Sequence, residues 1–326
     1  MSGGRIALDA YAAAMLTLSD AARVAIRFGL GRDAVLAGPV ACGELGQVWR
    51  IDTSQGRWAV KEPFEGPSPQ EAADDARYQE AVRAAGVPMP ATVRSVDGDV
   101  VADVGSAVVR VYEWVDLEPL DRRIDPAAVG HLVASIHRVR HCGSSPVHWW
   151  YTEPVGSARW DELVTQLAAV GAPFAPTLAA QRDELVALEA LLEAPSNLQT
   201  CHRDLFADNI LRTPAGGLCV IDWENSGLAD PTQELAVVLI EFACGDVARA
   251  QHLYGAYVDG GGPGRLERPG QFSMAIAQLG HLGERACRLW LDPTQDRARA
   301  TARVEEFVGE PMTQQLIHRL LDAIAG

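Results

Sequence analysis

The chain has no CxxC pair: its six cysteines, Cys42, Cys142, Cys201, Cys219, Cys244 and Cys287, stand singly. Zinc-ribbon and thioredoxin-type chemistry are thereby excluded, and scattered cysteines suit buried thiols in a reducing compartment. No window reaches 18 uncharged apolar residues, so no membrane-spanning helix and no membrane partner are expected. The start of the chain lacks a signal-peptide pattern, because Arg5 is a weak basic region and Asp9 interrupts the apolar stretch before Tyr11. A cytoplasmic protein is the expectation. There is no GxxxxGK[ST] segment, which removes the P-loop route to nucleotide chemistry, and no repeat of fixed period. Basic residues are the scarcer sign, 28 Lys plus Arg against 43 Asp plus Glu, for a net charge of -15. Such a surface repels nucleic acid and anionic lipid and attracts small cations. What remains is a globular balance, 48% hydrophobic and 22% charged over 326 residues, enough for two lobes around one cleft.

Along the chain, residues 8–30 read as a helix from Ala content and apolar spacing near 3.6. From Val40 the pattern becomes strand-like. Val48 to Ile51 and Arg57 to Lys61 flank the turn Asp52 to Gly56 and predict a hairpin. Ser68, Pro69 and Glu71 form a helix-start signature for residues 68–85, and Gly86 followed by Val87-Pro88 ends that helix. Three more strands are predicted over 91–96, 100–104 and 107–115, with Asp97-Gly98 as a hairpin turn. Residues 116–123 read as a linker. Helices are predicted over 126–140, 158–169, 179–193 and from Gln233 onward, and 255–270 as a glycine-rich loop. One strand pair, 209–212 and 218–222, flanks Pro214-Ala215-Gly216-Gly217. Residues 1–115 and 116–326 are the expected lobes.

The strongest chemical signal is Cys201-His202-Arg203-Asp204-Leu205-Phe206-Ala207-Asp208-Asn209-Ile210-Leu211, followed by Val220-Ile221-Asp222-Trp223-Glu224. An Asp, an Asn five positions later, and a second Asp ending a short apolar strand would converge from the two ends of one hairpin. Phosphoryl transfer needs such a set. A hard ion such as Mg²⁺ takes carboxylate and amide oxygens, while a separate carboxylate orients the attacking hydroxyl and accepts its proton. Asp204 fits the base, and Asn209 and Asp222 fit the metal ligands.

Residues 202–211 resemble the catalytic loop of the aminoglycoside phosphotransferase and choline kinase families, and 220–224 their metal-binding segment. Asp230-Pro231 with Glu234-Leu235-Ala236 is similar to the segment downstream, with Glu where Asp is more usual. The loop reads His-Arg-Asp where the antibiotic kinases more often have His-Gly-Asp. The resemblance implies an α+β, two-lobed protein-kinase-like fold, with a small antiparallel-sheet N-lobe and a mainly helical C-lobe. It also implies ATP and Mg²⁺ as cofactors and a small-molecule hydroxyl acceptor. Lys61 would then reach the ATP phosphates. Gly43-Glu44-Leu45-Gly46 resembles a reduced glycine-rich loop over them. An acidic partner for Lys61 is expected on the following helix, at Asp75 by spacing, or at Glu71 or Glu80. By the same carry-over, the backbone of Glu113 and Val115 would hold adenine, and His202 is expected to fix the loop rather than carry a proton.

Acceptor contacts are expected from Glu224, Glu241, Glu284, Arg285, Asp292 and His281, and by stacking from Trp149, Trp150 or Trp160. The acidic chain points to a cationic acceptor, an aminoglycoside-type antibiotic first and an amino alcohol or amino sugar second. A non-catalytic nucleotide-binding protein on the same scaffold fits less well, since base, metal ligands and lysine are all present. A protein kinase would need an activation segment, yet Asp230-Pro231 follows Asp222 within eight residues. A Mg²⁺-dependent hydrolase would leave Lys61 unexplained. The whole expectation requires Lys61, Asp204, Asn209 and Asp222 to meet in one site.

Overall fold

The computed structural model describes residues 16–42, 46–64, 66–105, 107–143 and 146–325. In chain order the strands are β1 (Val35–Cys42), β2 (Gly46–Thr53), β3 (Gly56–Pro63), β4 (Thr92–Val93), β5 (Val101–Val104), β6 (Ala107–Glu113), β7 (Gln199–Cys201), β8 (Ile210–Arg212), β9 (Leu218–Val220) and β10 (Gly227–Ala229). The helices are α1 (Ala21–Phe28), α2 (Pro69–Ala84), α3 (Pro126–His137), α4 (Ser157–Ala169), α5 (Ala175–Glu189), α6 (Pro231–Ala243), α7 (Val247–Asp259), α8 (Ser273–Leu291), α9 (Arg297–Gly309) and α10 (Gln314–Ile324). Two compact units result. One runs to Leu120 and includes Asn209–Glu224; the other comprises Asp121–Asp208 and Asn225–Gly326. The segment 209–224, grouped by sequence with the helical lobe, therefore clusters with the sheet.

The first unit is an antiparallel sheet in the order β1-β2-β3-β6-β4, with β5 also on β6. Alternation sets its inner face: Trp49 and Ile51 of β2 are buried with Val60, Val109 and Val111, while the alternate residues Arg50 and Asp52 are not. The α1 residues Val24, Ala25 and Phe28 close over this core. The early part of the predicted 8–30 helix lies outside the described residues; within them α1 begins at Ala21, and Gly29 ends it in the left-handed conformation. β1 was not anticipated by the sequence pattern. The Asp97-Gly98 turn does not close a hairpin, because β4 and β5 each pair with β6, at Tyr112 to Val111 and at Arg110 to Ala107 respectively. The α2 capping box forms as expected: Ser68 Oγ accepts from the Glu71 N–H at 3.2 Å, and Glu71 Oε2 accepts from the Ser68 N–H at 3.0 Å. The β8–β9 hairpin pairs Ile210 with Val220 and is anchored by the Val220 N–H donating to Pro88 O at 2.9 Å.

The second unit is helical around β7 and β10, which pair Cys201 with Gly227. Trp160, Leu163, Leu167, Leu178, Cys287, Trp290 and Val304 form one of its apolar clusters. Trp160 is fully buried there, stacks on Phe307 and donates its indole N–H to Glu189 Oε1 at 2.8 Å. It is a core residue and not an acceptor-stacking one. Trp160→Ala should cost about 3–5 kcal/mol of stability, read as a lower urea midpoint, by loss of buried area and the cavity left behind. The predicted loop 255–270 is shorter than expected, because α7 runs through Gly255 to Asp259 with Leu253, Ala256 and Tyr257 buried. No helix among the described residues is long and apolar enough to cross a membrane.

Candidate active site

In the first unit, Lys61 on β3 and the segment following β9 come together. Lys61 Nζ donates to Asp222 Oδ1 and, at 2.8 Å, to Glu224 Oε2. The sequence brings them there by register: Lys61 sits opposite Arg110 and Val48 in the sheet, one place from the buried Val60. Asp222 adopts φ 65, a left-handed conformation unusual for a non-glycine residue. Tyr112 OH donates to the other oxygen of Glu224 at 2.7 Å. Asn209, also buried, accepts the Ile221 N–H on its carbonyl at 3.0 Å, so it lies across the hairpin from the residue before Asp222.

Two carboxylates share one ammonium in this half-buried group. Burial first, and the Glu224 charge second, push Asp222 up to about 7, with Lys61 opposing. Burial also disfavours ionised Glu224, but the Lys61 ammonium outweighs it and holds that carboxyl well below the ordinary range. Despite burial, the same two carboxylates raise Lys61 above its ordinary value. The donor set, two carboxylates and an amide oxygen with an excess of negative charge, fits a hard divalent cation.

The expected partner of Lys61 on α2 is not used. Asp75 instead accepts from Arg110 Nη2 at 3.2 Å, Glu71 is committed to the Ser68 cap, and Glu80 pairs with Arg94 at 2.6 Å. Arg110 on β6 takes the helix carboxylate instead. Glu224, expected to face the acceptor, is the residue that takes the ammonium. Lys61 is also the sole lysine of the chain, against 27 arginines, a signal in the composition that marks it before any fold is known.

Gly46 starts β2, where an added Cβ would lie 2.5 Å from Glu62 O, so only glycine lets the two strands approach there. Gly43 lies outside the described residues. At Glu113 the backbone N–H already donates to Ala91 O at 2.9 Å, which leaves only its carbonyl for adenine; Val115 follows β6 by two positions.

In the second unit the loop after β7 carries Asp204. Its Oδ2 accepts from Asn225 Nδ2 at 3.1 Å. Arg203, the residue before, has φ 66, and its backbone N–H donates to Glu234 Oε1. Its guanidinium donates to Asn225 O at 2.6 Å and occupies the space a Cβ on Gly227 would need, 2.5 Å away. Glu234 is fully buried, receives His137 Nε2 at 2.8 Å and feels the charge of His202, itself fully buried. This carboxylate, noticed in sequence only as a substitution, is what holds the loop. Burial opposes its ionisation, but the His137 hydrogen bond and charge prevail and hold it below 4.5. A depressed carboxyl contributes stability above its unfolded value and loses it as pH falls through the folded one. The wild-type urea midpoint should thus fall below pH 4.5 more steeply than that of Glu234→Gln; parallel curves would contradict this.

The acidic acceptor candidates Glu241, Glu284 and Asp292 are engaged elsewhere. Glu241 accepts from Arg122 Nε at 3.1 Å and from the Ala207 N–H at 3.2 Å. Glu284 pairs with Arg159 at 2.6 Å, with Arg285 the next residue on α8, and Asp292 accepts from Thr294 at 2.7 Å. His281 stacks on Trp150 and meets Trp149 edge-on.

An antiparallel sheet bearing the lysine, a hairpin bearing paired oxygen donors and a helical unit bearing the HRD loop define a protein-kinase-like fold. The profile of the phosphotransferase enzyme family matches residues 38–270, and the chain belongs to that family. It is a small-molecule phosphotransferase. Among solved structures it is similar to a spectinomycin phosphotransferase in complex with ADP and spectinomycin, at 11% identity and TM-score 0.68 over 95% of this chain and 98% of that one. It is also similar to an aminoglycoside phosphotransferase from Alicyclobacillus acidocaldarius, at 19% identity and TM-score 0.59 over 96% of each chain. A choline/ethanolamine kinase family protein from Mesorhizobium loti follows at 20% identity and TM-score 0.54, over 95% of this chain and 100% of that one. No protein of curated function matches the chain significantly.

Proposed function

We propose that the protein moves the γ-phosphoryl group of ATP, with Mg²⁺, to a hydroxyl of a small amine-bearing molecule, an aminoglycoside-type antibiotic in the first instance. The observation that carries this reading is the half-buried Lys61–Asp222–Glu224 group beside the buried Asn209. Asp222 and Asn209 would hold the metal, which supplies positive charge to the phosphates when bound. With nucleotide bound, Lys61 would steady the phosphates while Glu224, itself held by Tyr112, keeps its direction. The Glu113 carbonyl and the Val115 backbone receive the adenine edge. Asp204 orients the acceptor hydroxyl and takes its proton. Cysteines scattered singly along the chain fit a reducing, ATP-containing cytoplasm.

Relatives of this fold include a spectinomycin phosphotransferase and an amicoumacin kinase, beside an aminopropanol kinase. The net charge of -15 agrees with an acceptor carrying ammonium groups. The test is ADP release from Mg-ATP with a panel of aminoglycosides, amino sugars and amino alcohols. Acceptor-dependent turnover within the first group is the expected result. Turnover confined to amino alcohols would refute the antibiotic assignment, and failure to bind Mg-ATP at all would refute the kinase reading.

A further inference from the structure

The second unit carries a run of aromatic side chains beginning beside Asp204. The Arg203 guanidinium lies 4.7 Å above the Tyr151 ring. Tyr151 belongs to the turn Trp149–Tyr151, which the His148 ring starts by accepting the Trp150 N–H. Trp150 packs with Tyr151 and Phe206 in one apolar cluster, so the run touches both sides of Asp204 in the chain. From α8, His281 stacks on Trp150 at 5.0 Å and stands edge-on to Trp149 at 4.9 Å. Its Nε2 donates to Glu153 O at 2.9 Å, which fixes the ring. The outermost indole, Trp149, is held by His148, Trp150 and His281 yet remains 48% exposed. An aromatic surface locked by its neighbours and open to solvent is already organised for stacking.

One turn before His281, the Gln278 side chain donates to Arg203 O at 3.1 Å. Gln278 is 3% exposed, and its Oε1 has no hydrogen-bond partner among the described residues. A buried amide oxygen left unpaired beside a catalytic loop suits a ligand that brings an O–H or N–H donor.

The charge around the shelf disfavours a cation. Burial first, and then the charges of Arg203 and His281, hold His148 below its ordinary value. A quaternary ammonium placed against Tyr151 would meet the Arg203 guanidinium, and Glu241 and Glu284 are already paired with arginines.

Building on the kinase reading above, we propose that Trp149, Trp150 and His281, with Gln278, form an acceptor subsite that stacks on the uncharged face of a hydroxyl-bearing sugar or cyclitol ring. Its ammonium groups lie elsewhere. The shelf reads the ring, and amino alcohols without one are poor acceptors.

The test is saturation-transfer NMR titration of the full-length protein with methyl α-D-glucopyranoside as a neutral ring and with choline as a ringless cation. The wild type should saturate the glucoside ring protons. Trp149→Ala should weaken that binding about two- to tenfold, from loss of one stacking contact, and Trp149→Phe should largely restore it. Choline should show no dependence on Trp149. The proposal is overturned by absent glucoside saturation in the wild type, by glucoside binding indifferent to Trp149→Ala, or by choline binding that needs Trp149. Mg-ADP binding, measured on the same proteins, keeps the two readings apart. It should be unchanged in Trp149→Ala, and its absence from the wild type would remove the kinase assignment whatever the ring titration shows.

Discussion

Asp204→Asn should lower kcat by about 10²–10⁴, the range for removing a positioned general base, while the KM for ATP stays near wild type. The change keeps size and shape, and Asn225 Nδ2, which now donates to Asp204 Oδ2 at 3.1 Å, still finds an oxygen. Loop geometry is set elsewhere, by Glu234 on the Arg203 N–H and by the Arg203 guanidinium on Asn225 O. The substitution therefore isolates proton acceptance from loop folding. The measurement is ADP release with an active acceptor, together with nucleotide binding by calorimetry. Near-normal turnover would remove Asp204 from the base role, and lost nucleotide binding would show that the side chain does something structural instead.

Asp222→Ala should weaken Mg²⁺-dependent nucleotide binding roughly thirty- to hundredfold, the equivalent of about 2–3 kcal/mol of charge-assisted contact. It should leave metal-free nucleotide binding much less affected, because Glu224 still holds Lys61 at 2.8 Å. The single lysine of the chain offers a second readout. An amine-directed acylating reagent can modify only Lys61 and the chain's α-amino group, so mass spectrometry of the Lys61 peptide reports one site. Mg-ATP should protect that lysine in the wild type and fail to do so in Asp222→Ala. Unchanged Mg-ATP affinity, or protection that persists in the variant, would contradict the metal-ligand assignment.

Local signals in the sequence carried far. The hairpin around Pro214-Ala215-Gly216-Gly217 forms within two residues of its predicted ends, because turn chemistry and a short apolar run are enough to specify it. The α2 cap is likewise a matter of four adjacent residues. Pairings between distant segments were harder to see. β4 has two residues and β10 three, too few to show alternation, and both exist because a partner strand offers hydrogen bonds. Spacing points to a carboxylate on α2 for the lysine, but Arg110, 35 residues beyond Asp75, claims it from β6. Gly255 reads as a loop former, yet α7 continues through it because Leu253 and Tyr257 on either side are fully buried. Gln278 and Tyr112 carry no motif at all; only the folded chain shows what they adjoin.

The sheet-bearing unit is assembled from residues up to Leu120 and from Asn209–Glu224, with Lys61 meeting a carboxylate 161 positions away. During synthesis at about 5–20 residues per second, the lysine emerges roughly ten to thirty seconds before its counter-charge exists. Until then the nascent sheet lacks the hairpin that completes it, and an ammonium destined for burial must stay hydrated or borrow another anion. A ribosome-bound chain truncated before Asn209 should therefore be more open to protease at this unit than one extended past Glu224, and nucleotide is the natural ligand to tell the two apart.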